Sequence, residues 1–167
     1  MADVISKSCD RDDEIVDIIE LLFFAYRDFT SDPDAILEQF GFGRAHHRVI
    51  HFAGRRPGMT VAQLLDILRI TKQSLARVLK ELIEKGYVYQ KEGAQDRRQR
   101  LVYLTPEGEA LRQRLMKPQY ERVLRALGET GDSGSGHARD TLYHLVSPEN
   151  REAVAAWLGA LGAEREP

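Results

Sequence analysis

Two short stretches of the sequence bring together side chains that can bind nucleic acid. In the first stretch, apolar residues recur at helical spacing and polar donors fall between them. Arginine and lysine donate to guanine or phosphate, glutamine pairs with adenine through two hydrogen bonds, and serine bonds several bases or a phosphate. The second stretch is rich in arginine, which the negative potential of a narrow minor groove attracts. The candidate residues are Thr71, Lys72, Gln73, Ser74, Arg77 and Lys80 in the first stretch, and Arg97, Arg98 and Arg100 in the second.

The elements that must position these residues follow one another as helix, turn, helix and hairpin. Thr60 and Gln63 form a capping box for a short helix to about residue 68, and Thr71 caps a second helix to about residue 84. Strands are predicted over 87–90 and 101–104. This is the order of a winged helix-turn-helix, in which the second helix contacts base edges in the major groove. The sequence therefore predicts double-stranded DNA as the partner.

The distribution of charge favours an anion-binding surface in the middle of the chain. The 167 residues carry a net charge of −2, but residues 39–100 have 13 basic and 5 acidic side chains, a net of +8. Residues 1–38 have 3 basic and 11 acidic side chains, a net of −8. A charged face is ordinarily only solvated, so charge alone does not distinguish an anion-binding surface from an ordinary one. The alternative is a winged-helix adaptor that binds protein and no DNA, although such a wing would not need three arginines.

The wing and the helix after it resemble a known family. From Asp96 to Gly108 the chain reads Asp-Arg-Arg-Gln-Arg-Leu-Val-Tyr-Leu-Thr-Pro-Glu-Gly. This segment resembles the wing of the MarR family of bacterial regulators, and the match extends over about residues 44–108. The resemblance implies a homodimer that binds pseudo-palindromic DNA, commonly as a repressor released by small ligands or oxidants. It also implies that Asp96 fixes the wing arginines by ion pairing, and that Arg98, with Arg97 as its rival, enters the minor groove.

The expected architecture is mostly α-helical with a small β-wing. A winged helix-turn-helix lobe over about 44–108 lies between dimerisation helices at about 14–40 and 109–162. Residues 1–13 are expected as a flexible tail, and residues 14–167 as a single MarR-like domain. The sequence around Pro33 predicts the end of one helix and the start of the next, and Pro118 predicts a kink or a break.

A regulator of this type needs an effector site, which we expect between the dimer-forming helices and the DNA-binding lobe. The predicted lining is apolar with a few polar groups, as in most small-molecule pockets. Arginine and histidine there would suit a small, anionic aromatic effector by charge and hydrogen bonding. The alternative is that Arg27 pairs with a nearby acid and the rest is core. The candidate residues are Phe24, Tyr26, Arg27, His46, His47 and Ile50.

Two further features suggest sensing chemistry, in competition with a plain structural role. Cys9 lies near the start of a helix beside Arg11, but four acidic neighbours oppose the thiolate that redox sensing requires. His47 and His51 are four residues apart, a spacing that can bind a metal, but no carboxylate or cysteine lies near them in the sequence. A redox-sensing or metal-sensing variant of the regulator thus stays open, while no cofactor and no metal are expected.

Several classes of protein are not expected. The sequence has no glycine-rich phosphate loop and no nucleophile elbow, so we do not expect an enzyme. No apolar run approaches the roughly 18 residues that cross a bilayer, and the N-terminus lacks a basic segment followed by an apolar core. We therefore expect a cytoplasmic protein without a membrane partner.

Overall fold

The chain forms helices with one small sheet, as the sequence predicts. The computed structural model describes residues 2–94, 96–131 and 136–163. The helices are α1 (Ala2–Glu38), α2 (Arg44–Arg55), α3 (Val61–Leu68), α4 (Lys72–Glu84), α5 (Pro106–Glu129), α6 (Gly136–Leu145) and α7 (Pro148–Ala163). The strands are β1 (Met59–Thr60), β2 (Val88–Glu92) and β3 (Arg100–Leu104). None of the helices within the described ranges combines the length and apolar character needed to span a bilayer.

The contacts divide the chain into two compact units. The first spans Met1–Glu121 and contains α1 to α4, the sheet and most of α5. The second spans Arg122–Pro167 and contains the end of α5 with α6 and α7. In the second unit, the Arg151 side chain donates to the backbone carbonyls of Val146 and His144, which ties α7 to the end of α6.

The sheet is antiparallel, in the order β1-β3-β2. β2 and β3 are the predicted hairpin, with Tyr89 opposite Tyr103 and Glu92 opposite Arg100. β1 was not predicted, because two residues are too few to show the alternation that identifies a strand. Its Met59 pairs with Val102, so the sheet is attached to the segment that leads into α3.

Local hydrogen bonds set the limits of the two central helices. The Thr60 hydroxyl accepts the Gln63 N–H at 3.1 Å, and the Gln63 side chain accepts the Thr60 N–H at 2.8 Å, which confirms the predicted capping box. α4 ends at Glu84, and Gly86, two residues later, turns the chain with a φ of +79°, a conformation that glycine adopts without strain. The buried core of the first unit includes Leu37, Val49, Ile50, Leu64, Leu75, Leu79, Leu82, Val88, Val102, Leu111 and Leu115.

α1 does not end at Pro33, and this corrects the predicted break. A proline inside a helix leaves the carbonyl four residues earlier without its N–H partner. Here that carbonyl belongs to Phe29, and the side-chain amide of Gln119 donates to it at 3.4 Å. Pro33 is fully buried and Gln119 nearly so, which makes this contact part of the packing between α1 and α5. α1 also includes residues 2–13, for which the sequence predicts a tail, and α5 is continuous through Pro118.

Candidate nucleic-acid interface

α4 separates an apolar face from a polar face. Leu75, Val78, Leu79 and Leu82 are buried, because they recur every three or four residues and face the core. The predicted DNA-binding residues on α4 are all exposed: Lys72, Gln73, Ser74, Arg77 and Lys80. The helix therefore presents its donors together on one outer surface.

The first turn of α4 is held by Thr71. The Thr71 hydroxyl accepts the Ser74 N–H at 3.1 Å and donates to the Ser74 hydroxyl at 2.9 Å. Thr71 is the N-cap, so its side chain stabilises the helix start. The Ser74 hydroxyl accepts from Thr71 and retains its own proton for a base or a phosphate.

Arg77 takes part in a chain of contacts that reaches into the core. Its Nε donates to Glu81 Oε1 at 2.9 Å, and the other oxygen of Glu81 lies 2.8 Å from Nε2 of His46 on α2. The pKa of the Glu81 carboxyl is lowered, mainly by the hydrogen bond from Arg77 and next by the one from His46, so the carboxyl stays ionised. Glu81 is not among the residues predicted from the sequence, where its i,i+4 spacing from Arg77 is the only local signal.

The wing presents arginines at its tip. Arg97 and Arg98 are exposed, and Arg100 pairs with Glu92 across the hairpin at 3.0 Å. Asp96 accepts the backbone N–H of Arg98 at 2.9 Å, which shapes the turn. The expected ion pair from Asp96 to a wing arginine is not found among the described residues, because the carboxylate serves the backbone instead. The tip thus directs Arg97 and Arg98 outward from a fixed turn.

The predicted effector residues do not all lie together. Arg27 is exposed, and its guanidinium lies 5.1 Å from the ring centre of Phe24. It pairs with Asp28 at 2.8 Å, as in the alternative prediction that Arg27 pairs with a nearby acid. Ile50 is fully buried in the core, and His46 contacts α4. Tyr26 and His47 line a common cavity.

This cavity has a volume of about 200 Å³ and lies between α1, α2 and α5. Arg48 donates to the Tyr26 hydroxyl at 3.3 Å, and Arg44 pairs with Asp34 at 2.7 Å. Burial lowers the pKa of His47, and burial together with His47 and nearby arginines lowers the pKa of His51 to about 4. The remaining wall is formed by Phe29, Thr30, Phe52 and Gln119.

The described residues do not gather a metal site. No group of three or more histidine, cysteine, aspartate or glutamate side chains with suitable geometry occurs among them. His47 and His51 line the same cavity, but His51 lies 3.2 Å from the sulfur of Met116 and His46 contacts Glu81 elsewhere. Cys9 is on α1, but its side chain is outside the part of the chain that the structure describes.

Comparison with known proteins identifies one family. A sequence model of the MarR family matches residues 40–99, which include α2 to α4 and β2. The HTH-type transcriptional regulator PetP of Rhodobacter capsulatus is 44% identical over 140 residues, which is 84% of each chain. These relatives are transcriptional regulators and not enzymes, in agreement with the prediction from sequence.

Solved structures share the fold. FabT of Streptococcus pneumoniae in complex with DNA superposes with a TM-score of 0.67 and 22% identity, over 79% of this chain and 96% of FabT. A variant of S. aureus MepR bound to an oligodeoxyribonucleotide superposes with a TM-score of 0.53 and 20% identity, over 89% of this chain and 98% of MepR. The predicted winged-helix fold is thereby confirmed.

Proposed function

This chain belongs to the MarR family of transcriptional regulators, and we propose that it binds double-stranded DNA in the cytoplasm as a homodimeric, ligand-responsive repressor. The observation that carries the proposal is the exposed polar face of α4 beside the arginine-bearing wing. Arg77, Gln73 and Lys72 supply the donors that read base edges in a major groove. Arg97 and Arg98 supply the charge for an adjacent minor groove.

Binding to a selected operator tests this function. The wild-type protein is used to select duplexes from a random library, and affinities are then measured by fluorescence anisotropy at several salt concentrations. Arg77→Ala should weaken operator binding by about 1–3 kcal/mol, and Arg98→Ala should reduce the salt slope by about 1. Arg11→Ala is the control, since Arg11 is an exposed arginine outside both the α4–wing surface and the proposed dimer interface. Operator binding by both interface variants at wild-type strength would contradict the proposal.

The apolar face of α1 supports the homodimer. Its exposed side chains are Ile15, Val16, Ile18, Ile19, Leu21, Leu22, Phe23, Phe24 and Tyr26, and Phe23 is 70% exposed. An apolar surface of this extent marks an interaction site. We propose that a second copy of the chain covers this surface. Each copy is a single MarR-like domain, and its residues 14–40 and 109–162 form the dimer.

Sedimentation tests the dimer interface. Phe23→Asp puts a charge among these exposed apolar side chains, so the variant should sediment as a monomer at micromolar concentration. Asp17→Asn, a polar change on the same helix, should leave the dimer intact. A Phe23→Asp variant that stays a dimer would refute this placement.

We place the effector in the cavity lined by Tyr26 and His47. Arg48 and Arg44 at its edge suit the carboxylate of an aromatic acid, while the apolar wall suits the ring. Salicylate titrated into the protein–DNA complex should dissociate it, and Arg48→Ala should raise the required concentration about tenfold, or about 1.4 kcal/mol. Arg27→Ala, which changes an arginine outside the cavity, is the control. Equal release by salicylate from both variants would exclude this site.

A further inference from the structure

We propose that Glu81, held by His46, is a positioning residue that directs the guanidinium of Arg77 toward the DNA and so sets the base preference of α4. This inference rests on the proposed DNA-binding function and adds two residues to it. Neither residue needs to touch DNA, because each acts through Arg77.

The three side chains form a continuous path from the core to the surface. The exposed fraction of the side chain rises from 10% at His46 to 31% at Glu81 and 81% at Arg77. Each oxygen of Glu81 has its own partner, since Oε1 accepts from Arg77 and Oε2 lies 2.8 Å from His46 Nε2. The carboxylate is thus fixed from behind, on the side away from solvent.

The backbone before α2 determines which nitrogen of His46 carries the proton. The N–H of Gly43 donates to Nδ1 of His46 at 3.1 Å, so Nδ1 is an acceptor and Nε2 holds the hydrogen. Nε2 therefore donates to Glu81. The ring is also stacked on Phe42, with centroids 4.7 Å apart and an interplanar angle of 18°. His46 is a rigid donor that belongs to α2 and aims at α4.

Fixing Nε of Arg77 has a direct consequence for base recognition. A guanidinium is planar, so a hydrogen bond at Nε holds the plane while the two terminal NH₂ groups stay available. Bidentate recognition of guanine needs that fork in a defined plane. A free arginine would instead spread its contacts between bases and phosphates, which position the protein but carry no sequence information.

A second pair on the same helix provides the contrast. Lys80 and Glu84 have the same i,i+4 spacing as Arg77 and Glu81, but their atoms are 3.7 Å apart and their side chains are 75% and 63% exposed. Their pair has the character of an ordinary surface ion pair, whose contribution is small. Glu84 is therefore the matched control for Glu81, since each carries one negative charge on the exposed side of α4.

Charge removal and loss of positioning predict different results. If Glu81 acts only as a negative charge near phosphates, Glu81→Gln tightens binding to all duplexes by the same factor, as Glu84→Gln does. If Glu81 positions Arg77, Glu81→Gln lowers the ratio of operator affinity to affinity for other sequences. The ratio is thus the readout that a general electrostatic role leaves unchanged.

The experiment uses three duplexes, which are the selected operator, the same operator with one base pair substituted, and an unrelated duplex. The substituted base pair is the one whose identity no longer affects binding by Arg77→Ala. Glu81→Gln should reduce the discrimination between the first two about fivefold, which is a part of what one bidentate pair supplies. Glu84→Gln should leave it unchanged. The double variant with Arg77→Ala should have the same ratio of operator affinity to affinity for the unrelated duplex as Arg77→Ala alone, because both changes act on one contact. Circular dichroism of each variant checks that the fold is retained.

Three outcomes separate the inference from the function on which it rests. Equal discrimination by Glu81→Gln and Glu84→Gln overturns the positioning role and leaves DNA binding intact. A further loss of operator affinity, relative to the unrelated duplex, when Glu81→Gln is added to Arg77→Ala also overturns it, since that effect would not pass through Arg77. Failure of the wild-type protein to select any duplex overturns both.

Discussion

The start of α5 offers the sharpest test of the packing, because Gly108 there lies against the backbone of Tyr87. A Cβ added to Gly108 would fall well under 3.0 Å from the Tyr87 carbonyl oxygen, 3.0 Å from its carbonyl carbon and 3.3 Å from Leu104 Cβ. The main obstacle is backbone, so no side chain can turn away to relieve it. We expect Gly108→Ala to destabilise the fold strongly.

The size of the effect follows from the bonds at this junction. Thr105 N–H donates to Tyr87 O at 3.1 Å, and the Thr105 hydroxyl donates to Gly86 O at 2.6 Å. Moving α5 away from Tyr87 weakens both hydrogen bonds, which lowers the unfolding free energy by about 1 kcal/mol for each bond. The crowding caused by the added methyl group lowers it by about 1–3 kcal/mol more. The better helix propensity of alanine offsets up to about 1 kcal/mol. The net loss of unfolding free energy is about 3 kcal/mol.

Urea unfolding followed by circular dichroism, at a fixed protomer concentration, measures this loss. A change of about 3 kcal/mol corresponds to a fall in Tm of roughly 10 °C for a chain of this length. Gly128→Ala is the control in the same helix, because nothing lies within 4 Å of a Cβ there. It should be neutral or slightly stabilising. A Gly108→Ala variant within about 0.5 kcal/mol of wild type would show that α5 does not approach Tyr87 so closely.

Two more predictions concern the polar side chains of His51 and Gln119. The folded-state pKa of His51 is about 4, below its ordinary value of 6.5, so the unfolded chain binds more protons between these values and stability falls as the pH is lowered from 6.5 toward 4. His51→Asn should therefore flatten the pH dependence of urea midpoints in that window, and an unchanged slope would contradict the burial of a neutral imidazole. Gln119→Leu should cost about 1 kcal/mol by removing the donor to the Phe29 carbonyl, and much less in a Pro33→Ala background, where a backbone N–H becomes available. Equal costs in the two backgrounds, measured by the same unfolding assay, would refute this role of Gln119.

The helix limits and the hairpin could be predicted from the sequence because their signals are local. The capping box of Thr60 and Gln63 and the cap at Thr71 involve residues three apart, and they form whenever the helix forms. The apolar spacing of α4 likewise determines which side faces solvent, so the exposure of Lys72, Gln73 and Arg77 followed from the pattern. The family resemblance of the wing added the expectation of DNA as a partner.

Contacts between distant residues were decided by the tertiary structure alone. His46 and Glu81 are 35 residues apart, and Phe29 and Gln119 are 90 apart. Local rules assigned His46 to an effector pocket and a helix break to Pro33, because they contain no information on what packs against either residue. In the folded chain His46 contacts the Glu81 carboxylate, and Pro33 stays within a helix whose freed carbonyl accepts from Gln119. In both cases the physical reason is the same, since a buried polar group takes its role from the partner that satisfies its hydrogen bond, and only the packing of helices supplies that partner.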